Sequence, residues 1–288
     1  MLRLVFTTDG VPKGVNIVVE GVRVFLDYFA IKKLAKEDPD RRRRFVEALH
    51  KGGDLVFSIS NAVELVGPTG GSFDKLRAFL SDLGAHWFVV EMDPKMISDR
   101  ELAGASTADS FVCKKFMNDF FNDRSVSTPR NQLLDYSDRF FDLGWVMHWL
   151  QPQRASVMAS KTRLDDRLRS QIARHRASFD RDPAWIDTAF PLVKFNSKIP
   201  ATFTYSNLMR TLIAEAKCQQ IKKNDGIDFG QAVIASSIAS LATLDKHWKR
   251  RINTLPERHR LAHIYEDCEL DLLVDDLEHV VLQNQSTV

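Results

Sequence analysis

The chain has 288 residues, 27% of them charged and 44% hydrophobic, with a formal net charge of +2. That composition is ordinary for a soluble globular protein, and so small a net charge does not by itself imply a nucleic-acid partner. The three cysteines, Cys113, Cys218 and Cys268, are isolated and form no C-x-x-C pair, so neither a disulfide framework nor a zinc site is expected. No run approaches the ~18 apolar residues of a membrane helix, and the N-terminal apolar run is too short for a signal peptide; a cytoplasmic protein with no membrane partner is expected.

In chain order, residues 2–7 and 15–20 read as a small hairpin around Asp9-Gly10 and Pro12-Lys13-Gly14. Residues 22–26 are apolar apart from Arg23, with Val22 and Val24 β-branched, as a parallel strand covered on both faces should be. Residues 28–50 form one or two helices interrupted near Asp38-Pro39, with the basic run 41–44 read as a solvated face ahead of a nucleic-acid contact. A second strand at 55–58, a helix at 61–66, a loop at 67–72, an amphipathic helix at 73–83 and a third strand at 86–90 follow. Strands alternating with helices predict a parallel sheet with right-handed crossovers, whose ligands collect beyond the carboxyl ends of the strands.

From about residue 96 to 220 the texture becomes helical, with candidates at 111–121, 132–150, 155–179 and 206–220. The aromatic stripe Phe116, Phe120, Phe121, Phe140, Phe141, Trp145 and Trp149 reads as the core of this insertion. The expected organisation is a discontinuous core (1–94 and 221–266), a helical insertion (95–220) and an acidic C-terminal helix (267–288).

Residues 225–248 look like a helix that opens with Asp225 and Asp228 and then delivers the chain into a short strand ending at Asp245. Acids in a first turn cap free N–H groups and suit the helix dipole. Ala232, Ala235 and Ala239 follow Asp228 at helical spacing, which lets the helix lie close to a sheet with Asp228 at the sheet edge. Elsewhere Asp27 ends an apolar strand, and Glu64 sits one turn after Ser60 in a helix that follows another.

An acid at a strand end, Ser-x-x-x-Glu opening a helix, Asp followed by a small-residue helix, and Leu-Ala-Thr-Leu-Asp-Lys-His-Trp, in this order, resemble the PIN domain family of metal-dependent nucleases. The match covers roughly residues 20–93 and 222–266. The resemblance implies an α/β, three-layer PIN-like fold around a mainly parallel sheet. It also implies that Asp27, Glu64, Asp228 and Asp245 are catalytic carboxylates holding one or two Mg²⁺ or Mn²⁺ ions, with Ser60 and Thr243 orienting carboxylates or water. Asp225 is either a helix cap or an auxiliary ligand. The implied activity is hydrolysis of single-stranded RNA, in a toxin or defence effector. A DNA-directed nuclease and an inactive PIN-fold scaffold that binds a partner are the alternatives.

The chemistry supports such a set. Phosphodiester hydrolysis at neutral pH needs a strong nucleophile and charge neutralisation, which divalent ions supply through hard oxygen ligands. Converging acids repel one another without a cation. Asp-x-Asp after the first strand, a phosphate-binding G-x-x-x-x-G-K-[ST] loop and a G-x-S-x-G turn are all absent, and His259 and His263 fall where a strand breaks their spacing.

Charge is unevenly spread. Residues 154–181 hold eight basic side chains against three acidic ones. Lys161, Arg163, Arg167 and Arg174 are the candidate phosphate contacts there, with a solvated face as the equal reading; Lys249, Arg250 and Arg251 lie beside Asp245. The acidic residues between 266 and 278 are expected to pair with that basic segment in the same chain or in a second subunit. RNA, ahead of DNA, is the expected partner, with a homodimer or a regulatory protein as further partners.

Overall fold

The computed structural model describes residues 2–6, 12–68, 70–127, 142–215 and 221–285. β1 (Leu2–Phe6) and β2 (Pro12–Ile17) pair antiparallel. The hairpin is there, but Pro12-Lys13-Gly14 lies in the second strand, in a two-stranded sheet of its own.

β3 (Val22–Phe25) leads into α1 (Tyr28–Lys36), and α2 (Pro39–Gly52) follows, capped by Asp38 with Pro39 at its first position. β4 (Gly53–Ser58), α3 (Ile59–Leu65), α4 (Gly71–Asp82) and β5 (Trp87–Val90) complete the first half. α3 starts two residues before its expected position because Ser58 caps it, in a reciprocal capping box with Asn61.

The helical segment comprises α5 (Pro94–Leu102), α6 (Thr107–Phe111), α7 (Lys114–Ser127), α8 (Leu143–Leu150), α9 (Arg154–Arg181), α10 (Trp185–Ala189) and α11 (Pro200–Ala214). The expected helix at 111–121 is thus split at Val112-Cys113, where Val112 bridges back to Val90. The helix expected at 206–220 begins at Pro200, and residues 132–141 and 216–220 lie outside the described residues. α12 (Asp225–Ile238), β6 (Leu241–Thr243), α13 (Lys246–Asn253), β7 (His263–Tyr265) and α14 (Leu270–Gln285) close the chain.

The main sheet is all parallel, in the order β5-β4-β3-β6-β7. The protein is therefore α/β, with its strands buried on both faces: every residue of β4 and β5 is buried. The chain moves outward from β3 through β4 to β5, then returns to place β6 on the opposite side of β3. The order of strands reverses between β3 and β6, and such reversals leave a crevice at the carboxyl ends.

The hydrophobic cluster is continuous, and it draws on α7, α8, α11 and α14 as well as on the sheet. Phe116 and Phe120 pack edge-on against Trp149 within it, as expected of a core stripe, whereas Trp145 is 45% exposed and departs from that reading. Phe140 and Phe141, and the side chain of Phe121, lie outside the described residues.

α14 packs on α2 and on β3, β6 and β7. Among the described residues its acids are not joined to the basic helix α9 of the same chain, which corrects that expected pairing. They meet the arginines of α2: Arg41 Nε donates to Asp271 at 2.5 Å, and Arg44 Nη2 donates to Asp275 at 2.6 Å and to Glu278 at 2.5 Å. Arg41 and Arg44 thus tie α2 to the C-terminal helix, held there by the apolar residues of α14, while Arg42 pairs with Asp82 and Arg43 stays on the solvated face. No helix among the described residues is long and apolar enough to cross a membrane.

Candidate functional site

The four predicted acids reach one place. Asp27, Glu64, Asp228 and Asp245 all line a cavity of about 540 Å³, together with Tyr28, Phe29, Pro68, Gln231, Leu244 and Trp248. It opens where β3 and β6 diverge, the crevice anticipated from the sheet order.

Two of the acids also have local duties. Asp27 caps α1, accepting from Ala30 N at 2.9 Å, and Asp245 caps α13, accepting from His247 N at 2.8 Å and Trp248 N at 3.0 Å. Thr243 ties the ends of β3 and β6: its hydroxyl accepts from Asp27 N at 2.8 Å and donates to Asp27 Oδ1 at 3.1 Å. That pair of bonds fixes the direction of the Asp27 carboxylate.

Asp228 and Glu64 do not cap their own helices. No hydrogen bond or ion pair engages the Asp228 carboxylate among the described residues. Burial raises its pKa to about 7, and the charges of Glu64, Asp245 and Asp225 push the same way while Lys161 opposes them. Burial also raises Asp27, with hydrogen bonds from Ala30 and Thr243 pulling it down and the charges of Asp267 and Glu64 pushing it up. Carboxyls near one another in a half-buried cleft hold protons they would lose in water.

Lys161 reaches one of these acids from α9. Its Nζ donates to Glu64 Oε1 at 2.8 Å, with the two side chains only 15% and 24% exposed. The sequence offers it as a phosphate contact, whereas the structure makes it the counter-ion of one candidate ligand. Ser60 is also placed differently from expectation. It bonds to Ser58 (2.6 Å) and to the amide of Gln231 (3.2 Å), and it touches no carboxylate. Gln231, one turn after Asp228 on α12, escaped the sequence reading; its position on the Asp228 face at i+3 is the signal that marks it.

Asp225 accepts from Lys222 N in the turn before α12, so it braces that turn and does not cap the helix. The cap is supplied from outside. Asp165 of α9, 4% exposed, accepts from Gly226 N at 3.1 Å and Ile227 N at 3.3 Å through one oxygen, and from Asn224 N at 3.1 Å through the other. Gly226 permits this approach, since a Cβ there would lie 2.8 Å from the Asp165 carbonyl oxygen and 2.9 Å from Leu168 Cβ. Gly226→Ala is expected to cost ~1–3 kcal/mol by separating α9 from α12. Chemical denaturation checks this, and an unchanged midpoint would contradict the docking described.

The other basic candidates divide. Arg167 pairs with Asp93, Lys249 with Glu269, and Arg251 with Glu215 while lying 4.9 Å from the Trp248 ring. Arg163, Arg174 and Arg250 are exposed and carry no ion pair among the described residues.

As a cation site the cleft has the right donors but no finished cage. All four candidates are carboxylates, the hard oxygen donors that Mg²⁺ and Mn²⁺ prefer, and the Asp228 carboxylate is not taken up by a protein partner among the described residues. No group of three or more His, Cys, Asp or Glu side chains is gathered tightly enough to hold an ion among the described residues. An ion held by one or two carboxylates with the rest of its shell as water needs no such triad, so the residues fit that mode of binding. No protein-family model matches the chain, and no match was found among curated proteins or solved structures.

Proposed function

We propose that this chain is a PIN-like, metal-dependent nuclease that hydrolyses single-stranded RNA at the cleft between β3 and β6. The observation that carries the reading is the meeting of Asp27, Glu64, Asp228 and Asp245, drawn from four separate segments, on the wall of one cavity. A divalent cation bound there would lower the pKa of a water and offset charge on the phosphate.

The chain's own residues have defined tasks in this scheme. Asp228 and Asp27 are the principal cation ligands, with Thr243 fixing the second. Asp245, exposed at the cleft mouth, adds negative charge from the β6 side. Asp228, with its pKa near 7, can also hold or release a proton in the neutral range when no cation is bound.

The rest of the wall favours an unpaired nucleotide. Tyr28, Phe29, Pro68, Leu244 and Trp248 make much of it apolar, and Phe29, directly after Asp27 plus one residue, is 60% exposed. A ligand with a phosphate and a flat apolar ring matches a cleft with acids on one part and an open aromatic face on another. A paired base cannot offer its face to Phe29. Phe29→Ala is expected to raise KM for single-stranded RNA about tenfold with little change in kcat, the loss of one base stack. Steady-state cleavage of a labelled oligoribonucleotide checks it; a fall in kcat at constant KM would contradict it.

The Lys161–Glu64 ion pair is the one feature that favours the rival reading, a PIN-fold scaffold that binds a partner without cutting. One experiment separates them. Purified protein is incubated with single-stranded RNA, single-stranded DNA and duplex DNA, each with Mg²⁺, Mn²⁺ or chelator. Metal-dependent cutting of RNA alone supports the proposal, cutting of DNA alone redirects it, and no cutting of any polymer leaves the scaffold.

A further inference from the structure

We infer that Lys161 is a built-in counter-ion that occupies Glu64 in the resting protein and competes with a divalent cation for it. The inference rests on the cation-binding reading of the cleft and adds to it a device carried by α9. Three features separate this pair from an ordinary surface bridge.

The first is burial. Exposed pairs contribute little because water screens them, but Lys161 Nζ lies 2.8 Å from Glu64 Oε1 with both side chains largely withdrawn from solvent. The second is rigidity. Lys161 stands one helical turn before Asp165, whose carboxylate is fixed to three backbone N–H groups at the start of α12. Leu164 and Leu168 pack with Ile227 at the same junction, and Arg167 is paired with Asp93. The lysine is thus delivered by a helix anchored on the very helix that carries Asp228. The third is position. Glu64 and Asp228 share the cavity wall, and Lys161 is the only cation of the described ion pairs that engages one of the four acids.

An ammonium and a divalent ion cannot both claim the same carboxylate at full strength, since each repels the other across a few ångströms. A cation entering through Glu64 must displace Lys161, and the displaced ammonium then lies free beside the cleft to meet an anionic phosphate. Residues on α9 that touch neither cation nor substrate would set how readily this exchange occurs.

The test is Mn²⁺ binding to the full chain, followed by calorimetry without any nucleic acid. Lys161→Met is expected to bind Mn²⁺ about tenfold more tightly than the wild type, and Lys161→Arg, which keeps the charge, within about twofold of it. Lys161→Gln serves as a second neutral variant, and circular dichroism confirms that each is folded. Wild-type binding that is unchanged in both folded neutral variants overturns the inference while leaving the cation site intact. Absence of Mn²⁺ uptake by the wild type and by both neutral variants overturns the inference and the cation site together. Uptake that appears only once the ammonium is removed supports the inference.

Discussion

Asp228→Asn is expected to lower metal-dependent RNA cleavage by at least about a thousandfold, and Asp27→Asn by a comparable amount. Both changes keep size and shape but remove a charge from the proposed ligand set, and an interaction made with the reacting assembly is lost in kcat. Asp228 is the cleaner of the two, because no hydrogen bond engages its carboxylate among the described residues, whereas Asp27 also caps α1. Asp27→Asn leaves an amide oxygen to accept from Ala30, so its effect on folding stays small. Cleavage of a labelled single strand in Mn²⁺, set against the chelator background, reads both variants. Activity within tenfold of the wild type in the two variants would remove these carboxylates from the chemistry.

The second large effect is on stability. With no cation present, the protein should become less stable as pH rises from about 4 to about 7. In the unfolded chain Asp228 loses its proton near its ordinary value, while in the folded cleft it keeps the proton up to about 7. Across that window the native state binds more protons than the unfolded state, so stability falls with increasing pH and levels off above it. Asp27, raised in the same direction, adds to the slope. The part of the loss due to Asp228 is on the order of 2 kcal/mol, reduced from the full shift because the side chain is only partly buried. Asp228→Asn should therefore be more stable than the wild type at pH 8 and should flatten the profile. Millimolar Mn²⁺ should do the same for the wild type, by binding the folded state alone. Thermal unfolding across pH, with and without Mn²⁺, checks all three expectations; a wild type whose stability rises steadily from pH 4 to pH 7 contradicts them.

A gain in stability on losing a carboxylate is the mark of a site that holds like charges together for a purpose other than folding. It also bears on the local duties of the acids. Asp27 and Asp245 are explained in part as helix caps, and a cap needs no further role. Asp228 has no such explanation. Burial and the neighbouring acids raise the energy of its charged form more than Lys161 lowers it, and protonation or a bound cation relieves that.

Two of the acids were legible because they punctuate the chain. Asp27 and Asp245 end strands and begin helices, so the residue that caps is also the residue brought to the sheet edge. The parallel sheet was legible in the mostly apolar runs of β3, β4 and β5, interrupted only by Arg23, Asp54 and Ser58, as a sheet covered on both faces requires. What escaped lies across long separations. Lys161 and Glu64 are 97 residues apart, and Gln231 and Ser60 are 171 apart, with no periodic pattern to link them. Asp165 was read as one acid among the charges of an amphipathic helix, because a buried cap for a distant helix has the same local sequence as a solvated aspartate. The partner of the acidic C-terminal helix was misjudged for a related reason. Charge alone pointed to the basic segment 154–181, and the apolar residues of α14 placed that helix against α2 instead.

Crystals of the protein soaked in Mn²⁺ and measured at the manganese edge would locate the ion by its anomalous scattering. A peak is expected in the cleft between β3 and β6, within ligation distance of Asp228 and at least one of Asp27 and Glu64. A strong peak elsewhere, or an empty cleft in crystals saturated with Mn²⁺, would contradict it.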